Sequence, residues 1–135
     1  MESKIKTIKY KDKILAILVK TKEIKEPLEF FYPDEFTLQA GIHNGVKGGK
    51  ALPHEHKPFK KRSVEHPQEI FYIQSGQMKV DLYVNDKIVK KVIMNPNDLL
   101  IVNTGHGVTF LKKTKLLEIK QGPYRGKDQE KRMIK

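Results

Sequence analysis

Apolar residues occur along this chain in short runs, and residues that favour turns separate them. From Thr37 to His43, polar residues alternate with Leu, Ala and Ile, a period of two that is typical of a half-buried strand. The runs VDLYV and KIVKKVIM flank Asn85-Asp86, which predicts a β-hairpin with a two-residue turn. Further strands are predicted over residues 4–10, 14–20, 69–74, 78–84, 99–102, 108–111 and 115–120.

About ten short strands, with no convincing amphipathic helix, predict an all-β fold. We expect a jelly-roll β-barrel in which two antiparallel sheets close against each other. Residues 24–36 mix aromatic side chains with Pro27 and Pro33, which predicts a loop with at most a short strand. We expect Phe30, Phe31 and Tyr32 to cap the barrel or to form a subunit contact.

The length and composition favour one globular domain. A chain of 135 residues allows a sizeable single core, and a second domain would not fit. The absence of cysteine excludes disulfides, thiolate metal ligands and cysteine nucleophiles, and it is compatible with a reducing cytoplasm. No apolar run is long enough to span a membrane, and the N-terminal MESKIKTIKY lacks the apolar core of a secretory signal. We therefore expect a soluble, cytoplasmic protein without a membrane partner.

The formal charge of +11 raises the possibility of a nucleic-acid partner. Lysines are spread along the chain in short clusters, and no basic motif interleaved with aromatic residues joins them. Solvated strand faces and edges explain this distribution better, since lysine on an exposed edge discourages pairing between sheets. We therefore expect no nucleic-acid partner, but a surface that attracts small anionic molecules.

The metal-capable side chains are concentrated near the middle of the chain. On an extended strand, His54 and His56 would share one face, so both rings could turn to the same point. Glu69 opens the apolar run EIFYI, and His106 follows another apolar strand. Three imidazoles and one carboxylate from three strands would make a site suited to one divalent ion of Fe, Mn, Ni, Co or Zn. His43 lies before a glycine turn and is expected at the rim.

The spacing of these residues resembles the cupin family. Gly48 lies six positions before His54, and Glu69 lies seven before Gly76, as in the first cupin motif, G-x5-H-x-H followed by E-x6-G. The turn Pro96-Asn97-Asp98 precedes His106, as in the second motif. The resemblance covers about residues 36–119. It implies a cupin domain with the four-ligand metal site. Over residues 1–135 we expect this single domain, with N-terminal strands within 4–20 and a polar tail over 122–135 that follow from the residue pattern.

Two features differ from the family pattern. Twelve residues, Lys57 to Gln68, separate the second histidine from Glu69, where the family usually has three or four. Glu65 and His66 are therefore competing ligand candidates, although Pro67 indicates a turn beside them. Asn97 replaces the usual turn glycine, and asparagine also tolerates the left-handed conformation.

The resemblance supplies a scaffold and a site rather than a substrate. We expect a metal-dependent enzyme, of dioxygenase or isomerase class, that acts on a small anionic or carbohydrate-like molecule. A binding protein without turnover and a metal-free sugar isomerase or epimerase are the alternatives. Arg62 is the candidate contact to an anionic substrate, because guanidinium pairs with carboxylate or phosphate. Tyr72 and Tyr124 are weaker candidates for substrate contacts as proton donors. The two N-terminal strands offer a surface for a homodimer.

Overall fold

The computed structural model describes residues 3–58, 67–121 and 132–134. These residues contain one short 3₁₀ helix, Thr21–Glu23, and no α-helix, so none of their helices could cross a membrane. The ten described strands are β1 (Ile5–Tyr10), β2 (Lys13–Lys20), β3 (Leu28–Phe31), β4 (Ala40–His43), β5 (Glu69–Ser75), β6 (Met78–Val84), β7 (Lys87–Met94), β8 (Asp98–Val102), β9 (Gly105–Phe110) and β10 (Lys115–Lys120).

The strands form three antiparallel sheets. The large sheet has the order β1-β2-β8-β5-β10, and the small sheet has the order β7-β6-β9. Strands β3 and β4 form a separate two-stranded sheet. No pairing among the described strands joins the large sheet to the small one, so these residues form layers compatible with a β-sandwich rather than a closed barrel.

The central strands of the large sheet, β2, β8 and β5, are apolar on both faces because this sheet is the middle layer. In β2, the five consecutive residues from Leu15 to Val19 are buried. Alternate residues such as Ala16 and Leu18 pack with the small sheet, while Ile17 and Val19 pack toward β3 and β4. A strand covered on both faces reads as a continuous apolar run, which explains the sequence KILAILVK.

The turns use residues that tolerate a positive φ. Asn85 (φ 51°) and Asp86 (φ 63°) join β6 to β7, which confirms the predicted hairpin. Asn97 (φ 71°) adopts the left-handed conformation before β8, as expected from its place in the NPND turn.

Three local predictions require correction. The strand predicted over 37–43 begins only at Ala40, because the Leu38 amide bonds to the Gln68 side chain instead of to a neighbouring strand. The strand predicted to start after His106 begins at Gly105, so His106 lies inside β9. His54 and His56 lie outside any strand, in an exposed segment, residues 44–58, that contains three glycines and two prolines.

Candidate functional site between the sheets

The large and small sheets bring one carboxylate and one imidazole together. Glu69 is the first residue of β5 and shares a face with the buried residues Phe71 and Ile73. His106 lies on β9, directly opposite the buried Leu82 of β6, so its ring also points between the sheets. His106 Nε2 lies 3.6 Å from Glu69 Oε2. Two residues 37 positions apart in sequence therefore meet because the two sheets stack.

The backbone fixes the orientation of the His106 ring. Nδ1 lies 3.0 Å from the carbonyl oxygen of Thr104. A carbonyl oxygen only accepts hydrogen bonds, so Nδ1 carries the proton and donates it, and Nε2 is left to face Glu69. The ring also meets Phe71 edge to face, with 5.4 Å between ring centroids. In its neutral form, His106 therefore directs an available nitrogen lone pair toward the carboxylate.

The two groups shift each other's pKa values. Burial alone would lower the pKa of His106, but Glu69 and the Thr104 carbonyl outweigh it and raise the pKa above the ordinary 6.5. His106 holds the pKa of Glu69 below the ordinary 4.5, against the opposing effect of burial, and Lys120 acts in the same direction. A separation of 3.6 Å is too long for a good hydrogen bond, so the contact is an ion pair when His106 is protonated.

These shifts define a pH window for the pair. Because folding raises the pKa of His106, its contribution to stability is full below pH 6.5 and is lost as the pH rises through the raised value. Because folding lowers the pKa of Glu69, its contribution is full above pH 4.5 and is lost as the pH falls through the lowered value. The pair therefore stabilises the fold most between pH 4.5 and 6.5.

The pair lies at an open end of the sandwich. Strands β9 and β10 are edge strands of their sheets, and Val108 and Phe110 of β9 are 37% and 58% exposed. The side chains of Glu69 and His106 are 23% and 24% exposed, so solvent reaches both. A small ligand can therefore approach the carboxylate and the imidazole from this edge.

A buried amide holds the start of β5 in place. Gln68 is only 4% exposed, and its side chain accepts a hydrogen bond from the Leu38 amide and donates one to Asn103 Oδ1. The Asn103 side chain in turn donates to the Ile14 carbonyl oxygen, and the backbone N–H of Gln68 donates to Gln121 Oε1. This network positions Glu69 by fixing its neighbour. Sequence reasoning missed Gln68, because a glutamine before an apolar strand gives no signal that distinguishes it from a solvated one.

His54 and His56 are close to each other, with 5.3 Å between their ring centroids. Both are exposed, and His54 Nδ1 lies 2.7 Å from the Leu52 carbonyl oxygen. In the described part of the chain, no three His, Cys, Asp or Glu side chains form a group that could hold a metal ion. The four predicted ligands thus form two separate pairs, Glu69 with His106 and His54 with His56. The four-ligand site stays a prediction.

The other predicted site residues lie elsewhere. Tyr72 is on the face of β5 opposite to Glu69, where its hydroxyl donates to Asn97 Oδ1 at 2.8 Å. His43 is exposed on β4, next to the ring of Phe30. The predictions for two substrate contacts and two competing ligands lie outside the described residues: Arg62, Tyr124, Glu65 and His66.

Comparison with known proteins adds no further assignment. No protein-family model, curated protein or solved structure matches the chain. The arrangement of Glu69 and His106, together with the motif spacing, is therefore the basis for a functional proposal.

Proposed function

We propose that this chain is a cupin-like protein that holds one divalent transition metal ion and uses it to bind a small anionic or carbohydrate-like molecule. The ligands are His54, His56, Glu69 and His106. The observation that carries the proposal is the contact between Glu69 and His106 across the two sheets at an open edge. Together with the motif spacing, it supports a site in which Glu69 and His106 form one half.

The donor set fits such an ion. One carboxylate oxygen and imidazole nitrogens are suitable ligands for Fe, Mn, Ni, Co or Zn. The hydrogen bond from His106 Nδ1 to the Thr104 carbonyl is the kind of outer contact that orients a ligating histidine. When bound, the ion supplies Lewis acidity toward an oxygen-containing substrate and, if it is iron, dioxygen activation.

Residues 50–58 are the segment that would complete the site. They contain both remaining histidines, they are exposed, and they belong to no strand. Strand β9 has no partner on its outer edge among the described strands. For all four ligands to hold one ion, residues 50–58 would have to lie beside this edge, an arrangement nearer to the expected jelly-roll barrel.

The chain's own residues give the site its preference for anions. Lys120 pairs with Glu69 across β10 and β5 and lowers the pKa of that carboxyl group. With the overall positive charge, a lysine at the site favours a negatively charged ligand. Whether ligand binding leads to turnover distinguishes the enzyme from a binding protein. The homodimer and the cytoplasmic location stay predictions.

A metal-free isomerase or epimerase is the second candidate function. The close approach of His106 Nε2 to Glu69 Oε2 favours it, because a carboxylate beside an imidazole can move a proton without a metal. Activity that persists after treatment with a chelator would select this function over the metal-dependent one.

Metal titration of the untagged protein by calorimetry tests the proposal. We expect about one ion per chain and, in His54→Ala and in His106→Ala, binding weakened by at least about tenfold, since loss even of an outer contact costs 10–100-fold. His43→Ala is the matched control, because it removes an exposed histidine outside the site. Equal losses in all three variants would indicate nonspecific binding and contradict the proposal.

A further inference from the structure

A second opening lies at the other end of the sandwich. It is a cavity of about 750 Å³ between β1, the far edge strand of the large sheet, and β7, the far edge strand of the small sheet. Glu69 and His106 lie toward the β10 and β9 edges, so the cavity is separate from the candidate metal site. Lysine is its most frequent lining residue: Lys6, Lys9, Lys20, Lys90 and Lys91.

The strand register places two of these lysines where apolar residues are expected. Lys6 of β1 is paired with the buried Leu18, and Lys90 of β7 is paired with the buried Leu82. Residues paired across two strands share a face, so both lysines are on the faces that look into the sandwich. Both lysines are exposed at the sheet edges, so positive charge lines this open cavity from both sheets.

Among the described residues, carboxylates do not neutralise most of this charge. Lys20 is paired with the buried Asp98, with Nζ 2.7 Å from Oδ2. Within residues 3–58, 67–121 and 132–134, the other four lysines form no ion pair, and no aspartate or glutamate lines the cavity. A cavity lined by cations and lacking carboxylates favours a ligand with more than one negative charge.

We propose that this cavity binds a small molecule that carries phosphate groups. Its volume lies in the range of about 300–1,000 Å³ that is usual for small-molecule sites. Lysine binds phosphate as a point charge, whereas arginine binds through a planar group of fixed geometry. Several lysines can therefore act together on one phosphate group. Ile8, Leu18 and Val92 give the cavity an apolar wall for the body of such a molecule. This proposal does not depend on the proposed metal site.

The competing explanation is protection of the sheet edges. Charged residues that point inward on edge strands prevent pairing with other chains, and lysine is common in that role. Edge protection requires no ligand. The two explanations therefore differ in whether a phosphate compound binds at one defined place.

Titration of the metal-free protein with inorganic pyrophosphate tests the proposal. Calorimetry measures the binding, and amide chemical shifts in NMR spectra locate it. We expect saturable binding of one pyrophosphate per chain, with the largest shifts at Thr7 and Val92. The double variant Lys6→Gln, Lys90→Gln should bind about tenfold more weakly, which corresponds to about 1.4 kcal/mol.

The matched control is the double variant Lys112→Gln, Lys113→Gln, which removes the same charge from exposed positions outside the cavity. It should change the affinity by less than about twofold, since isolated exposed charges contribute little. Equal weakening in both double variants, shifts spread over the whole surface, or no saturable binding would overturn the proposal. A different result is that a short single-stranded DNA displaces pyrophosphate and binds both double variants with equally reduced affinity. That result would indicate a diffuse nucleic-acid surface.

Discussion

Replacement of Gln68 by alanine tests how the fold positions the candidate site. The Gln68 side chain is buried and joins two segments that are distant in sequence. Its Oε1 accepts from the Leu38 amide at 2.9 Å, and its Nε2 donates to Asn103 Oδ1 at 3.0 Å. Gln68→Ala removes these two bonds and a longer one from the Thr37 hydroxyl to Oε1 (3.4 Å), and it leaves the Leu38 amide without this partner.

The expected cost follows from these contacts. Each lost hydrogen bond contributes about 1 kcal/mol, and a buried donor left without a partner costs about 1–3 kcal/mol. Since Thr37 is exposed and Leu38 and Asn103 are only partly buried, water can replace part of the loss. We expect Gln68→Ala to lower the free energy of unfolding by about 2–3 kcal/mol.

Urea unfolding at pH 7 measures this cost. The chain has no tryptophan, so far-UV circular dichroism is the appropriate signal. The matched control is Gln77→Ala, which removes a single exposed hydrogen bond to Asn95 Oδ1 and should cost less than about 1 kcal/mol. If the two variants were equally stable, the buried network around Gln68 would not hold the start of β5.

Three further predictions concern the ion pair and two turns. Glu69→Gln should lower the pKa of His106, measured by NMR titration of the ring, and should remove the stability maximum between pH 4.5 and 6.5. Gly76→Ala should destabilise the fold by about 3 kcal/mol in urea unfolding, because φ is +94° and a Cβ would collide with the backbone after β9. Asn85→Ala should cost about 1 kcal/mol by the same measurement, because the β6–β7 turn requires a positive φ there.

Each of these predictions has a clear opposite result. An unchanged His106 pKa in Glu69→Gln would mean that the carboxylate does not act on the ring. A Gly76→Ala variant as stable as the parent would mean that the turn after β5 differs from the one described. Asn85→Gly provides the control for the third prediction, since glycine accepts positive φ and should be less costly than alanine.

Local patterns were sufficient to predict most strands. The alternation in VDLYV and KIVKKVIM, with Asn85-Asp86 between them, specifies β6, β7 and their turn without information from distant residues. The apolar run at β2 also predicts a strand, but not that both its faces are covered. Which sheets cover it depends on long-range pairing, which short patterns do not encode.

The candidate site could be predicted only in part for the same reason. Glu69 and His106 were singled out by motif spacing, and they lie together across the sheets. The prediction for His54 and His56 assumed an extended strand, whereas glycine and proline residues keep the segment around them irregular. The role of Gln68 depends on Leu38 and Asn103, about 30 positions away on either side, so no local signal could reveal it.

Elemental analysis of the purified, untagged protein, with Glu69→Gln and Glu35→Gln measured in parallel, determines whether the chain holds the proposed metal ion. Glu35 is exposed and outside the site, so its variant controls for the loss of one negative charge. The proposed site predicts about one Fe, Mn, Ni, Co or Zn ion per chain in the parent and in Glu35→Gln, and a clear decrease in Glu69→Gln. Equal metal content in all three proteins, or no metal after reconstitution, would contradict the metal site.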